Sequence, residues 1–284
     1  MSRFSFHIFG TREAYFMVAA SMFLGLFVGL SLQSLISGME NTALLDRLIM
    51  LLGEIAILVP PLFILNQRKL SLTQVLPLKK VSPITIGMSI LLIGGVIGLV
   101  SVFEVLILPY YPVPEFLEQM DATLFDGGLL ANVILISAAV LVAPFVEEFL
   151  FRGLLQQSLF YHFGSILPAM VIPTVVFSLF HVGYLFYFPA MVELLTLGLL
   201  LAWLMVKTGN LLIPMLTHAL FNLSAFSGLF LGLDEETSSL ADLGWTWIVI
   251  STALFGIGWF YFKRMKTVEC DDVYLIPLPH EVDR

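Results

Sequence analysis

Two carboxylates stand side by side where an apolar helix should have none: Glu147 and Glu148 close the run Ala131–Val146. Arg152 follows Glu148 at a spacing of four, which on a helix favours an ion pair along one face. His181 ends the stretch Phe177-Ser178-Leu179-Phe180-His181, inside another apolar run. His218 and Asn222 are four apart in a third. Ionisable groups are costly in hydrocarbon, so within membrane segments they mark function and face the bundle interior. Two carboxylates, two imidazoles and an amide, gathered from three segments, have the chemistry of a hydrolytic or metal site.

The elements that carry them belong to a membrane protein. The chain is 59% hydrophobic and 12% charged, against about 45–50% and about 25% in soluble domains. Mean hydropathy is +0.98. Cys270 is the one cysteine, which excludes an internal disulfide framework and a Cys-rich metal motif. It lies too far from the C-terminus for a prenylation box. The net charge of −8 argues against nucleic acid as a partner. The first apolar run, Ala14–Ile36, exceeds the about 7–15 residues of a signal-peptide core and reads as a retained span.

A bilayer crossing needs about 20 mostly apolar residues. On that measure about eight spans are expected, near 14–36, 48–65, 84–108, 129–147 and onward, 166–182, 186–206, 211–231 and 245–262. The loops alternate in charge. Arg3, Arg12, Arg68, Lys69, Lys79, Lys80, Arg152, Lys207, Lys263, Arg264 and Lys266 fall on one side. Glu115, Glu118, Asp121, Asp126, Asp234, Glu235, Glu236 and Asp242 fall on the other, with Arg47 as its only base. The positive-inside rule then places both termini in the cytoplasm. The expected fold is an all-α polytopic bundle in the cell membrane, formed by residues 1–266, with a weakly ordered cytoplasmic tail over 267–284.

A site also requires a common depth. At about 1.5 Å per residue, His218 lies roughly 10 Å inside its span and His181 roughly 20 Å inside its own. Pro168 and Pro173 can shorten or bend that second path. Glu147 reaches the histidines only if the fourth helix continues through Phe149-Leu150-Phe151 and Leu154-Leu155 to about Tyr161, stopping at Gly164 and Pro168. One long fourth helix is therefore expected. Glu147 and Glu148 then point about 100° apart, so one enters the site while the other supports its wall.

Each motif has a plainer alternative: a solvated helix end for the glutamates, a satisfied core histidine for His181, and a helix cross-link for His218 and Asn222. Glu54, Glu104 and Glu193 also lie in apolar runs. Glu193 is a candidate to support the site from outside it. Glu54 and Glu104 carry no assignment. Gly94 and Gly98 form a G-x-x-x-G packing signal.

Glu147-Glu148-Phe-Leu-Phe-Arg152 resembles E-E-x-x-x-R, Phe177-Ser-Leu-Phe-His181 resembles F-x-x-x-H, and His218-Ala-Leu-Phe-Asn222 resembles H-x-x-x-N. In this order, with Lys207-Thr208-Gly209-Asn210-Leu211 before the third, they resemble the CPBP family of CAAX-processing and bacteriocin-processing intramembrane proteases. The motif-bearing core covers about residues 131–227. The resemblance implies an intramembrane endopeptidase with a site open to the cytoplasm and a peptide or membrane-protein substrate. Glu147 would be the general base, Glu148 and Arg152 its supports, and His181 would bind the water or a metal. His218 and Asn222 would hold a metal or stabilise the oxyanion. Two mechanisms fit. In one, Glu147, His181 and His218 bind Zn²⁺ with an open position for water, and Glu148 becomes the candidate base. In the other, no metal takes part and His218 and Asn222 form an oxyanion hole. The expense of burying two histidines and a glutamate favours the metal. The competing classes are a non-proteolytic immunity or scaffold protein of the same fold and a proton-coupled transporter. Internal repeats, typical of transporters, are not evident in this sequence.

Overall fold

The structure, a computed structural model, describes residues 9–125, 127–226 and 244–267. Within them the chain is helical, with no strand. In order the elements are α1 (Thr11–Ile36), α2 (Ala43–Gln67), the short α3 (Leu72–Val75), α4 (Pro83–Ile107), α5 (Glu115–Leu124), α6 (Gly128–Phe163), α7 (Ile166–Phe180), α8 (Phe188–Thr208), α9 (Leu212–Ser224) and α10 (Trp245–Arg264). Six are long and apolar enough to cross a membrane: α1, α2, α4, α6, α8 and α10. The shorter α7 and α9 are also apolar, which accommodates the expected count. The end of the expected seventh span and the tail from residue 268 lie outside the described residues.

Local chemistry sets the helix ends. Ser82 caps α4 by accepting the Thr85 backbone N–H at 3.1 Å, and Pro83 follows at a position whose N–H has no helical partner. Gly164 and Gly209 stop α6 and α8 with φ of 56° and 54°, left-handed values that glycine adopts without a Cβ penalty.

Contacts at the two ends of the bundle establish the up-and-down threading. At one end Arg68 pairs with Glu13, Asn210 Nδ2 donates to the Lys79 carbonyl, and Lys207 Nζ donates to the Met265 carbonyl. At the other, Gln33 donates to Asp46, the Tyr187 hydroxyl donates to the Tyr111 carbonyl, and Phe125 packs edge-on to Phe226. The basic loops thus gather at one end.

The α4–α10 seam is the tightest in the molecule. A Cβ on Gly95 would strike the Phe255 backbone, one on Gly98 would strike Ser251, and one on Gly258 would meet Leu92 Cβ at 2.6 Å. Hydrocarbon gives helices no hydrophobic reason to associate, so close backbone approach and dispersion contacts hold this pair. Gly98 lies on the seam as its motif suggests. Gly94 does not, with its nearest neighbour, Leu254, at 3.9 Å; Gly95 takes its place.

The fourth crossing is the long helix expected. Its 36 residues extend roughly 54 Å at about 1.5 Å each, well beyond a hydrocarbon core of about 30 Å. Two wide i→i+5 turns interrupt it, at Ala138–Val142 and Phe149–Leu155. Pro144 accounts for the first. A proline lacks the N–H and its ring clashes with the carbonyl four residues back, which a wider turn relieves. The Ala143 N–H accordingly bonds the Ala138 carbonyl.

Candidate active site

The hairpin of α6 and α7 brings the first two motifs to one depth. Glu147 and His181 stand equally far from Gly164 along the chain, one before it and one after. An antiparallel pair closed by a tight turn levels such positions. No bend at Pro173 is required, and α7 stays helical through it. The length of α6 does the levelling.

The adjacent glutamates have different surroundings. Glu148 is fully buried, whereas Glu147 keeps 15% of its side chain accessible. Glu148 Oε1 accepts from Arg152 Nη1 at 2.8 Å and from His218 Nδ1 at 3.0 Å. Arg152, also fully buried, donates its other terminal nitrogen to the Gly198 carbonyl at 3.1 Å, and its guanidinium lies 4.9 Å from the Phe177 ring centroid. Burying a lone guanidinium is prohibitive, so the carboxylate, the carbonyl and the ring face together make its position tenable. Among the described residues Arg152 Nε and Glu148 Oε2 have no hydrogen-bond partner.

His218 is the hinge of the site. Its Nδ1 donates to Glu148, which leaves Nε2 facing Glu147 Oε2 at 3.6 Å. A carboxylate on one ring nitrogen fixes tautomer and orientation, so the other nitrogen is presented for chemistry. His181 follows the same logic. Its Nδ1 lies 3.0 Å from the Phe177 carbonyl, an atom that only accepts, so Nδ1 carries the proton and Nε2 is left as an acceptor. The Phe177 ring lies 4.6 Å from the His181 ring and 5.9 Å from that of His218, filling the wedge between them.

Asn222 is engaged elsewhere. Its Nδ2 donates to the Ala139 carbonyl of α6 at 2.8 Å. That carbonyl has lost both helical donors: the Ala143 N–H serves Ala138, and residue 144 is a proline. The amide of α9 therefore closes the gap that Pro144 opens in α6. Glu193 does not line the site; it lies near enough to Glu104 to feel its charge.

Glu147 and His181 share the wall of a cavity of about 730 Å³. Its other walls come from α1 (Phe23, Leu26, Gly29), α2 (Met50, Glu54) and the end of α7 (Phe180). It runs from Phe151 and Phe177 toward Gln33 and Asp46, the end opposite the basic loops, and so away from the end where the resemblance places the mouth of the site. The α1–α2 wall is fixed by a close approach, since a Cβ on Gly25 would meet Ile57 Cγ1 at 2.6 Å and the Gly53 carbonyl at 3.0 Å.

The structure thus joins Glu147, Glu148, Arg152 and His218 directly, and places His181 beside them across Phe177. Sequence reasoning did not find Pro144, the Gly198 carbonyl or the place of Glu54. Pro144 was visible as a proline within a helical run; the other two depend on tertiary contacts. Among the described residues no three His, Cys, Asp or Glu side chains are grouped so that they could hold one metal ion. The Glu147, His181 and His218 set, as arranged with Phe177 between the imidazoles, is not such a group.

Residues 129–224 match the family model described as Type II CAAX prenyl endopeptidase Rce1-like. No curated protein and no solved structure matches the chain. That stretch holds all three motifs, with Glu147, Glu148, Arg152, His181, His218 and Asn222, and is similar to the Rce1-like CAAX endopeptidases, which are membrane-integral, protease-type enzymes.

Proposed function

We propose that the chain is an intramembrane endopeptidase in which Glu147 activates water against a peptide bond of a membrane-associated substrate. The observation that carries this reading is the placement of Glu147 Oε2 3.6 Å from His218 Nε2, on a ring whose far nitrogen is held by the buried Glu148–Arg152 pair. Water on the cavity side of that pair gives a proton to Glu147 as its oxygen attacks the carbonyl carbon. Glu147 returns the proton to the leaving nitrogen as the C–N bond breaks. His181 Nε2, an acceptor, orients the water. The second amide hydrogen of Asn222 is assigned to the developing oxyanion. The basic end of the bundle, with both termini, is assigned to the cytoplasm. The family's general substrate class is a peptide or protein in the bilayer; prenylated C-terminal peptides and leader peptides are the first to try.

Zn²⁺ is the cofactor the resemblance implies. The residues do not group as a three-ligand set, so no step is routed through it. The test is cleavage of prenylated and leader peptides by purified protein in nanodiscs, with and without chelator, beside Glu147→Gln. The reading expects cleavage that survives the chelator and is lost in Glu147→Gln. A phenotype that persists without any cleavage would return the chain to the scaffold class.

A further inference from the structure

The cavity in front of Glu147 is apolar in most of its wall, yet acidic in its polar part. Asp46, Glu54, Glu147 and His181 line it, and no Lys or Arg does among the described residues. Asp46 is already satisfied, accepting from Gln33 and from Thr42 at 2.9 Å each. Glu147 faces His218. Glu54 differs: its Oε2 is buried and has no hydrogen-bond partner among the described residues. Glu54 is nonetheless part of the cavity wall, and a carboxyl group with one oxygen closed off and unpaired is costly in an apolar wall unless something that enters the cavity bonds its accessible part. Glu54 is also held in place, one residue past Gly53, whose carbonyl packs against Gly25 of α1.

The geometry points to Glu54 as a specificity-determining residue: it receives a hydrogen-bond donor, best a Lys or Arg side chain, from an apolar peptide segment lying in the groove. This rests on the protease reading, since the segment in front of Glu147 is then the substrate. Charge complementarity selects the occupant. A cavity lined by carboxyl groups and no base favours a donor, best a cation, and disfavours a substrate carboxylate in the same place. The long stem of Lys or Arg also suits the groove, with methylenes against Leu26 and Met50 and the charge at Glu54. The residue lies on α2, outside the matched stretch 129–224, so it would give this chain a preference that its family core does not dictate.

Binding tests this independently of cleavage. The Glu147→Gln chain, purified in nanodiscs, is titrated with a fluorescent apolar peptide carrying one central Lys, and with the same peptide carrying Met. The expected preference for Lys is about tenfold, or about 1.4 kcal/mol. Because Glu147 is neutral in this background, the preference reports on the rest of the cavity. Adding Glu54→Gln should abolish it while Met-peptide binding and melting temperature stay put; Glu54→Lys should favour the peptide with Glu in place of Lys. A structural role for Glu54 would weaken both peptides alike and overturn the inference. So would equal binding of Lys and Met peptides by the Glu147→Gln chain, or a preference unchanged by Glu54→Gln. If these binding results hold while wild-type protein cleaves nothing, the protease reading fails and the recognition site stands.

Discussion

The two flanks of this bundle treat the same problem in opposite ways. On one, α4 and α10 meet through Gly95, Gly98 and Gly258 until backbone touches backbone, leaving no room for anything else. On the other, α1 and α2 meet closely at Gly25 and, with the end of α7, wall a cavity of about 730 Å³ beside Glu147. Both flanks are glycine-containing and apolar, so composition does not distinguish them. What differs is what the glycines face. On the first flank the missing Cβ is replaced by a neighbouring helix; at Gly29 nothing lies within 4 Å, and the space is the cavity itself. One seam holds the fold together, and the other provides the room for chemistry.

Breaking the centre that both flanks surround should have the largest effect. Arg152→Leu leaves Glu148 buried with the His218 ring but without its counter-ion, and one-sided removal of a buried pair costs about 3–5 kcal/mol. Loss of monodisperse protein, or a collapse in melting temperature, is the expected result. Glu148→Gln in the same background should restore part of it.

Next comes the closed flank. Gly95→Val drives a side chain into the Phe255 backbone, which has no flexible end to give way. Overpacking of this kind costs about 1–3 kcal/mol and sometimes more. A clear drop in melting temperature is expected, with activity lost only as folded protein is lost.

Asn222→Ala sharpens the account between the flanks. It leaves the Ala139 carbonyl unpartnered, at about 1–3 kcal/mol for a buried acceptor. Pro144→Ala gives α6 back a backbone N–H, so the double variant should melt higher than Asn222→Ala alone. Whatever rate defect persists in the stabilised double variant then measures the oxyanion role. No recovery of stability would show that Pro144 does not set the need for Asn222.

The smallest change in stability is expected at Gly29→Leu, where open space receives the side chain and only helix propensity changes, by about 1 kcal/mol in its favour. Its cost should be in turnover, because the same side chain narrows the groove. A loss of stability equal to that of Gly95→Val would erase the contrast between the flanks.

Much of this was legible in the residues. Alternating loop charge anticipated the threading, and the run Phe149–Leu155 anticipated a fourth helix that continues past Arg152. The partnership of Glu148 with Arg152 followed from helical spacing. The wide turns were not legible, because a change from 3.6 residues per turn leaves little trace in an almost uniformly apolar sequence. Nor was the tie of Asn222 to Ala139, which exists only because two helices cross where a proline has removed a donor. The cavity escaped for a related reason: Glu54 reads as one more acid in an apolar run until α2 is packed against α1.

The central claim is that Glu147 does chemistry while Glu148 holds the machinery. Cleavage by Glu147→Gln, measured in protein whose melting temperature matches the wild type, tests it most directly. The account predicts correctly folded protein with no turnover. Full turnover by well-folded Glu147→Gln would contradict it and remove this carboxylate from the reaction.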